Sequence, residues 1–298
     1  MYSRRLFLGG SAAAIGLTAC KGAVPKVPSA GANQVKQVGI QSYTLREIFE
    51  PDPVGTLKMI KEVGYDYVEL NGRNFADRSP EDLAAMVKDA GLYSPASHVS
   101  YDAAVNIPET VAKTCQTLGC KYAIVPWVDE AQRTKEDWVR HAAALEAAGK
   151  IMKDNGVRLA YHNHQFEFDD LGGGETAMDI LINQTSPENM DFELDLFWAA
   201  LASIDMEALF KQAPGRFKLC HIKDMKGDPK AYYESRDYGN ISKQLMVNVG
   251  EGTLPFESYF ALNDISGMEY FIAEHDNPVK PFKNSIKISH DSVRAMRF

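Results

Sequence analysis

The sequence predicts an α/β chain folded as one (β/α)8 barrel over residues 36–298, and three observations carry that expectation. Eight short runs rich in β-branched and aromatic residues recur at Gln37–Tyr43, Tyr67–Leu70, Tyr93–His98, Tyr122–Pro126, Val157–His164, Asp191–Phe197, Phe217–Lys223 and Tyr270–Glu274. Their starts lie 26 to 35 residues apart, with one gap of about 53 before the last, which is the interval of a strand, a helix and two loops. The stretches between them carry helical periodicity, and eight such units in 263 residues suit a barrel. An open doubly wound sheet is the competing arrangement, but no GxGxxG follows the first run.

The helices read in turn from their ends. Ser79 is placed to cap a helix that opens at Pro80 and stops at Gly91. A longer helix is expected over Lys135–Asn155, closed by Gly156. The long last gap, about 225 to 256, predicts an elaborated loop on the active face.

Composition narrows the function classes. Acidic residues outnumber basic ones 40 to 32, a net charge of −8, so the chain lacks the basic face that a nucleic-acid binder needs. Hydrophobic content of 45% with 24% charged residues is that of a packed globular chain. Four cysteines are too few for a disulfide scaffold, and Cys115, Cys120 and Cys220 read as buried thiols.

The first twenty residues read as an address. Arg4 and Arg5 precede a short apolar run that ends in Leu17-Thr18-Ala19-Cys20, a pattern similar to a twin-arginine export signal joined to a lipobox. Residues 21–35 are rich in Pro, Gly, Ala and Ser, which predicts a tether. The expected mature protein is exported to the periplasm, with its only membrane contact a lipid on Cys20.

Chemistry concentrates where the strands end. Five of the seven histidines lie at these ends: His98, His162, His164, His221 and His275. They are accompanied by Glu69, Glu167, Asp195, Lys223 and Glu274. The ends of barrel strands converge on one face, and buried imidazoles and carboxylates meeting there point to a metal. Alternation puts His162 with His164, Glu193 with Asp195, and His221 with Lys223 on shared faces. A mixed nitrogen and oxygen donor set suits Mn²⁺, Co²⁺, Zn²⁺ or Mg²⁺ and leaves positions open for substrate.

The segments YHNHQFEF (161–168), ELDLFW (193–198), HIKD (221–224), VGEGTLPF (249–256) and FIAEHD (271–276) resemble the xylose-isomerase-like superfamily of sugar isomerases and epimerases. The resemblance implies a metal held by residues after strands five to eight, and Asp195, His221 and Glu274 match the last three. Glu167 is the expected ligand from strand five, with His162 and His164 as alternatives, because His162 occupies that place in register. The resemblance also implies removal of a proton beside a metal-polarised carbonyl, for which His162, His164, Glu167 or Glu274 could serve, while Lys223 is a candidate either to bind an oxyanion or to form a salt bridge with a neighbouring carboxylate at the barrel mouth. Glu69, His98, Trp198 and His275 are then candidates to bind a small carbohydrate.

Three readings follow: an isomerase or epimerase of a free sugar or keto-sugar, a lyase or hydratase of a 3-keto-glycoside, and a sugar-binding lipoprotein without catalysis. Intact-mass analysis of the exported chain should give a lipid-modified N-terminus at Cys20. Retention of Met1, or cleavage elsewhere without lipid, would contradict the address.

Overall fold

The computed structural model describes residues 33–75, 78–227 and 237–298. The expected signal segment and most of the expected tether lie outside these residues. The tether's end does not: Asn33 and Phe298 exchange backbone hydrogen bonds of 3.0 and 3.1 Å, and Val35 is buried. The barrel therefore holds the chain from Asn33 rather than from residue 36.

All eight expected strands form, each shorter than its apolar run. They are β1 (Gly39–Gln41), β2 (Tyr67–Glu69), β3 (Ala96–His98), β4 (Tyr122–Val125), β5 (Arg158–His162), β6 (Met190–Asp195), β7 (Phe217–Ile222) and, after a two-stranded insertion, β10 (Tyr270–Ala273). They run parallel in the order β2-β1-β10-β7-β6-β5-β4-β3. Isolated bridges Tyr67–Tyr93 and Leu70–Ser97 join β2 to β3 and bring the sheet around into a (β/α)8 barrel. The insertion pairs β8 (Asp224–Met225) with β9 (Met246–Val247) and carries the helix Tyr238–Leu245.

Helix ends follow the sequence closely. Ser79 accepts a hydrogen bond from the Asp82 backbone to open Pro80–Asp89, and the helix Lys135–Asp154 opens on a capping box between Thr134 and Asp137. Among the described residues no helix is long and apolar enough to cross a membrane.

One apolar layer packs the sheet against the helices, and a separate cluster of Tyr67, Ala96, Tyr122, Ala160, Leu219 and Ile272 fills the lumen. Side chains two residues further along each strand point the same way. The lumen plug therefore passes directly into Glu69, His98, His162, His221 and Glu274 above it. Apolar packing below is what holds the polar layer in place.

The plug depends on a glycine. A Cβ on Gly39 would lie 2.0 Å from the Tyr67 ring. That ring is fixed because its hydroxyl accepts from the Phe271 N–H at 2.7 Å and donates to the Phe271 carbonyl at 3.0 Å. Gly39→Ala should cost about 1–3 kcal/mol, the usual range for overpacking, read by urea denaturation. Unchanged stability would mean that the plug is looser than described.

Candidate metal centre

The polar layer resolves into an inner and an outer tier that share two histidines. Register sets this up: β5 and β6 place His162 opposite Glu193, and β6 and β7 place Asp195 opposite His221. A bulge between Phe192 and Glu193 precedes both acidic positions.

In the inner tier, Glu69 Oε2 lies 2.6 Å from His221 Nε2 and 3.3 Å from His98 Nε2, and it accepts from Gln41 Nε2 at 2.6 Å. Glu193 Oε2 lies 2.9 Å from His98 Nε2, 3.1 Å from His162 Nδ1 and 3.2 Å from His221 Nε2. Both glutamates are fully buried. Burial alone would raise the Glu69 carboxyl, but His98 and His221 hold it well below the usual range. Glu193 is raised by burial and by the charge of Glu69. His98, which burial would keep neutral, is carried up to about 9 by Glu69 and Glu193.

In the outer tier, His221 turns Nδ1 toward Glu274 Oε2 at 2.7 Å and Asp195 Oδ2 at 3.9 Å. His162 turns Nε2 toward Asp195 Oδ2 at 3.7 Å. Asp195 divides its work: Oδ1 accepts from the backbones of Phe197 and Trp198 to cap the helix Leu196–Leu201, which leaves Oδ2 for the site. Burial raises the Asp195 carboxyl to about 6 despite Lys223. Lys223 Nζ reaches Glu274 at 2.7 Å, Asp195 at 3.0 Å and Asp276 at 3.1 Å, and these carboxylates hold its charge against burial. Burial raises Glu274 less than Lys223 and His221 lower it.

The residues fit a divalent ion. Asp195 Oδ2 and His221 Nδ1 are buried and lack an aligned hydrogen-bond partner, although charged groups stand near both. Their charged neighbours are Lys223 Nζ at 3.0 Å and Glu274 Oε2 at 2.7 Å, and the donor atoms of Asp195, His221 and Glu274 lie together as the ligands of one ion would. Asp195, His221 and Glu274 are grouped so that they could hold an ion there, with His162 Nε2 3.7 Å from Asp195 Oδ2, and His98, His162, Glu193 and His221 form a second such group in the inner tier.

Three expected site residues are placed differently. Glu167 does not join the cluster: its carboxylate accepts from the Tyr161 hydroxyl at 2.7 Å and the His164 N–H at 2.8 Å. The strand was expected to run to His164, but it ends at His162 and a turn at Phe166–Phe168 swings Glu167 behind it. Burial raises the Glu167 carboxyl to about 8 against those hydrogen bonds. His275 is buried outside the cavity, and its Nδ1 accepts from the Asn277 N–H at 3.0 Å, because alternation turns it away from Glu274. Glu69 lies beneath His98, fully buried, and does not line the cavity.

The remaining candidates come together. His98, His162, His164, Trp198, Lys223 and Glu274 all line a cavity of about 1000 Å³ at the strand ends. Gly239 and Ser242 of the insertion also line it, so the long last gap contributes to the face that carries this cavity. Burial and then Lys223 hold His164 well below an ordinary imidazole. Gln41, Glu193, Asp276 and the 42% exposed Trp127 were missed as site residues. The alternation that pairs Glu193 with Asp195 was the signal for the first acid.

A profile of the xylose isomerase-like TIM barrel family matches residues 57–297. The chain belongs to that family. An inosose dehydratase from Lacticaseibacillus casei is 27% identical over 169 residues, which cover 53% of this chain and 55% of that protein. The chain thus aligns with about half the length of the curated relatives it matches. Among solved structures, a sugar phosphate isomerase/epimerase from Parabacteroides distasonis superposes with a TM-score of 0.72 at 22% identity, covering 91% of this chain and 98% of that one. The IolI protein with a bound zinc atom gives 0.67 at 20% identity, covering 88% and 99%. Both solved structures share the barrel fold.

Proposed function

We propose that the protein is a divalent-metal-dependent enzyme that removes the proton beside the carbonyl of a keto-sugar and then expels a β-substituent. The observation that carries this reading is the convergence of Asp195 Oδ2, His221 Nδ1 and Glu274 Oε2 on one point, with His162 Nε2 beside them. This donor set suits Mn²⁺, Co²⁺, Zn²⁺ or Mg²⁺. Such an ion, when bound, supplies the Lewis acidity that polarises a carbonyl and acidifies the adjacent C–H.

The rest falls to the chain's own groups. His164 lines the cavity but stands outside the four candidate ligands, and its neutral form can accept the carbon's proton. The C–H bond breaks, its electrons form a C=C bond and the β C–O bond breaks. The imidazolium returns a proton to the departing oxygen. Lys223, at the cavity wall, offers a fixed positive charge to the enolate oxygen.

Elimination is favoured over epimerisation by what strand five lacks. A two-carboxylate epimerase needs an acid on each side of the reacting carbon, and Glu167 is engaged with Tyr161. The naming of the curated relatives as inosose dehydratases supports the same outcome. The export signal expected from Arg4, Arg5 and Cys20 would favour an unphosphorylated substrate, either a free keto-sugar losing water or a 3-keto-glycoside losing its aglycone.

The test is a panel of free keto-sugars and 3-keto-glycosides incubated with metal-loaded protein in D₂O and followed by NMR. Loss of water or aglycone is expected, and His164→Gln should slow it about 10²-fold with metal content intact. Deuterium exchange without loss of a substituent would replace the lyase with an isomerase. Binding without either reaction would make the chain a sugar-binding protein.

A further inference from the structure

The inner tier is more than a support, and its geometry suggests a role for one residue. A neutral imidazole donates from one nitrogen and accepts, or ligates, through the other. His162 and His221 face the outer tier through different atoms: His162 through Nε2, His221 through Nδ1. Each presents its remaining nitrogen to an inner carboxylate. His162 Nδ1 is 3.1 Å from Glu193 Oε2, and His221 Nε2 is 2.6 Å from Glu69 Oε2 and 3.2 Å from Glu193 Oε2. The same Glu193 oxygen stands 2.9 Å from His98 Nε2, so one buried carboxylate oxygen faces three imidazoles.

We propose that Glu193 is a positioning residue for the metal centre: its carboxylate fixes His162 as the Nδ1–H tautomer and, together with Glu69, fixes His221 as the Nε2–H tautomer. Opposite tautomers are what two histidines on neighbouring sides of one ion require here. A carboxylate behind a ligating imidazole sets its ring orientation and raises its basicity. Glu193 arrives on the strand that also supplies Asp195, one layer deeper on the same face, so one backbone segment places a ligand and the group that aligns two others. This inference rests on the proposed ion-binding role of His162.

A second ion in the inner tier is the competing idea. The donor atoms of His98, His162, Glu193 and His221 converge there, with Glu193 Oε2 2.9, 3.1 and 3.2 Å from the three imidazoles, and the number of ions bound per chain decides between a ligand and a positioning role for Glu193.

Zinc affinity of the full chain, measured by competition with a chromophoric chelator, should fall 10- to 100-fold in Glu193→Gln. The cobalt-loaded variant should show an altered visible spectrum, which a merely packing role would not cause. Should that variant fail to fold, a long-range ¹H–¹⁵N spectrum of the zinc-loaded wild-type protein tests the same point. It should show His162 protonated at Nδ1 and His221 at Nε2. One ion per chain with unchanged affinity in Glu193→Gln, or either opposite tautomer, overturns this proposal alone. Two ions per chain overturn it by making the inner tier a site. No bound ion overturns it together with the ligand assignment beneath it.

Discussion

Burial of charge at the top of the barrel is the constraint on which the rest of the site depends. Glu69, Glu193 and Asp195 are fully removed from solvent, and carboxylates in that position persist only with partners. The chain supplies those partners from other strands, some adjacent in register: His98 on β3, His162 on β5, His221 on β7 and Lys223 just beyond it. Removing one member would leave another charged and unpaired, so the network stands or falls as a unit. This is why the same side chains define both the stability of the mouth and its chemistry.

The apolar plug beneath makes such a network affordable. Tyr67, Leu219 and Ile272 close the lumen from below, and Glu69, His221 and Glu274 follow each of them at a distance of two residues. The direction of Glu69, His162, Asp195 and His221 is thus set by backbone pleat rather than by loop conformation. Groups built on strands are held more tightly than groups on loops, which suits a centre that has to present its ligands to one point.

The barrel was legible because strand and helix periods differ and eight units recur at regular intervals. Convergence at the strand ends was legible too: Asp195 and His221 on strands, and Glu274 one residue past β10, come together where alternation puts them. What failed lay just past a strand end. Glu167 was assigned on the assumption that β5 continues to His164, and a turn of three residues undid that register. His275 was grouped with Glu274 although adjacent residues on a strand face opposite ways. Glu193 went unassigned because an acid two residues before a ligand reads equally as a neighbour or a partner. The distances from its oxygen to three imidazoles are what support reading it as a partner.

His162 in place of a fifth-strand carboxylate is the feature that turns the proposed chemistry from epimerisation toward elimination. Replacing an anion by a neutral imidazole lowers the negative charge around an ion and leaves His164, on the same side of the cavity, for proton transfer. The most direct measurement is anomalous diffraction from crystals loaded with zinc or manganese, recorded at the metal's absorption edge. One peak is expected, with His162 Nε2, Asp195 Oδ2, His221 Nδ1 and Glu274 at about 2.0–2.2 Å for zinc. A peak coordinated by Glu167, or one that lies among Glu69, His98 and Glu193 alone, would contradict this description of the centre.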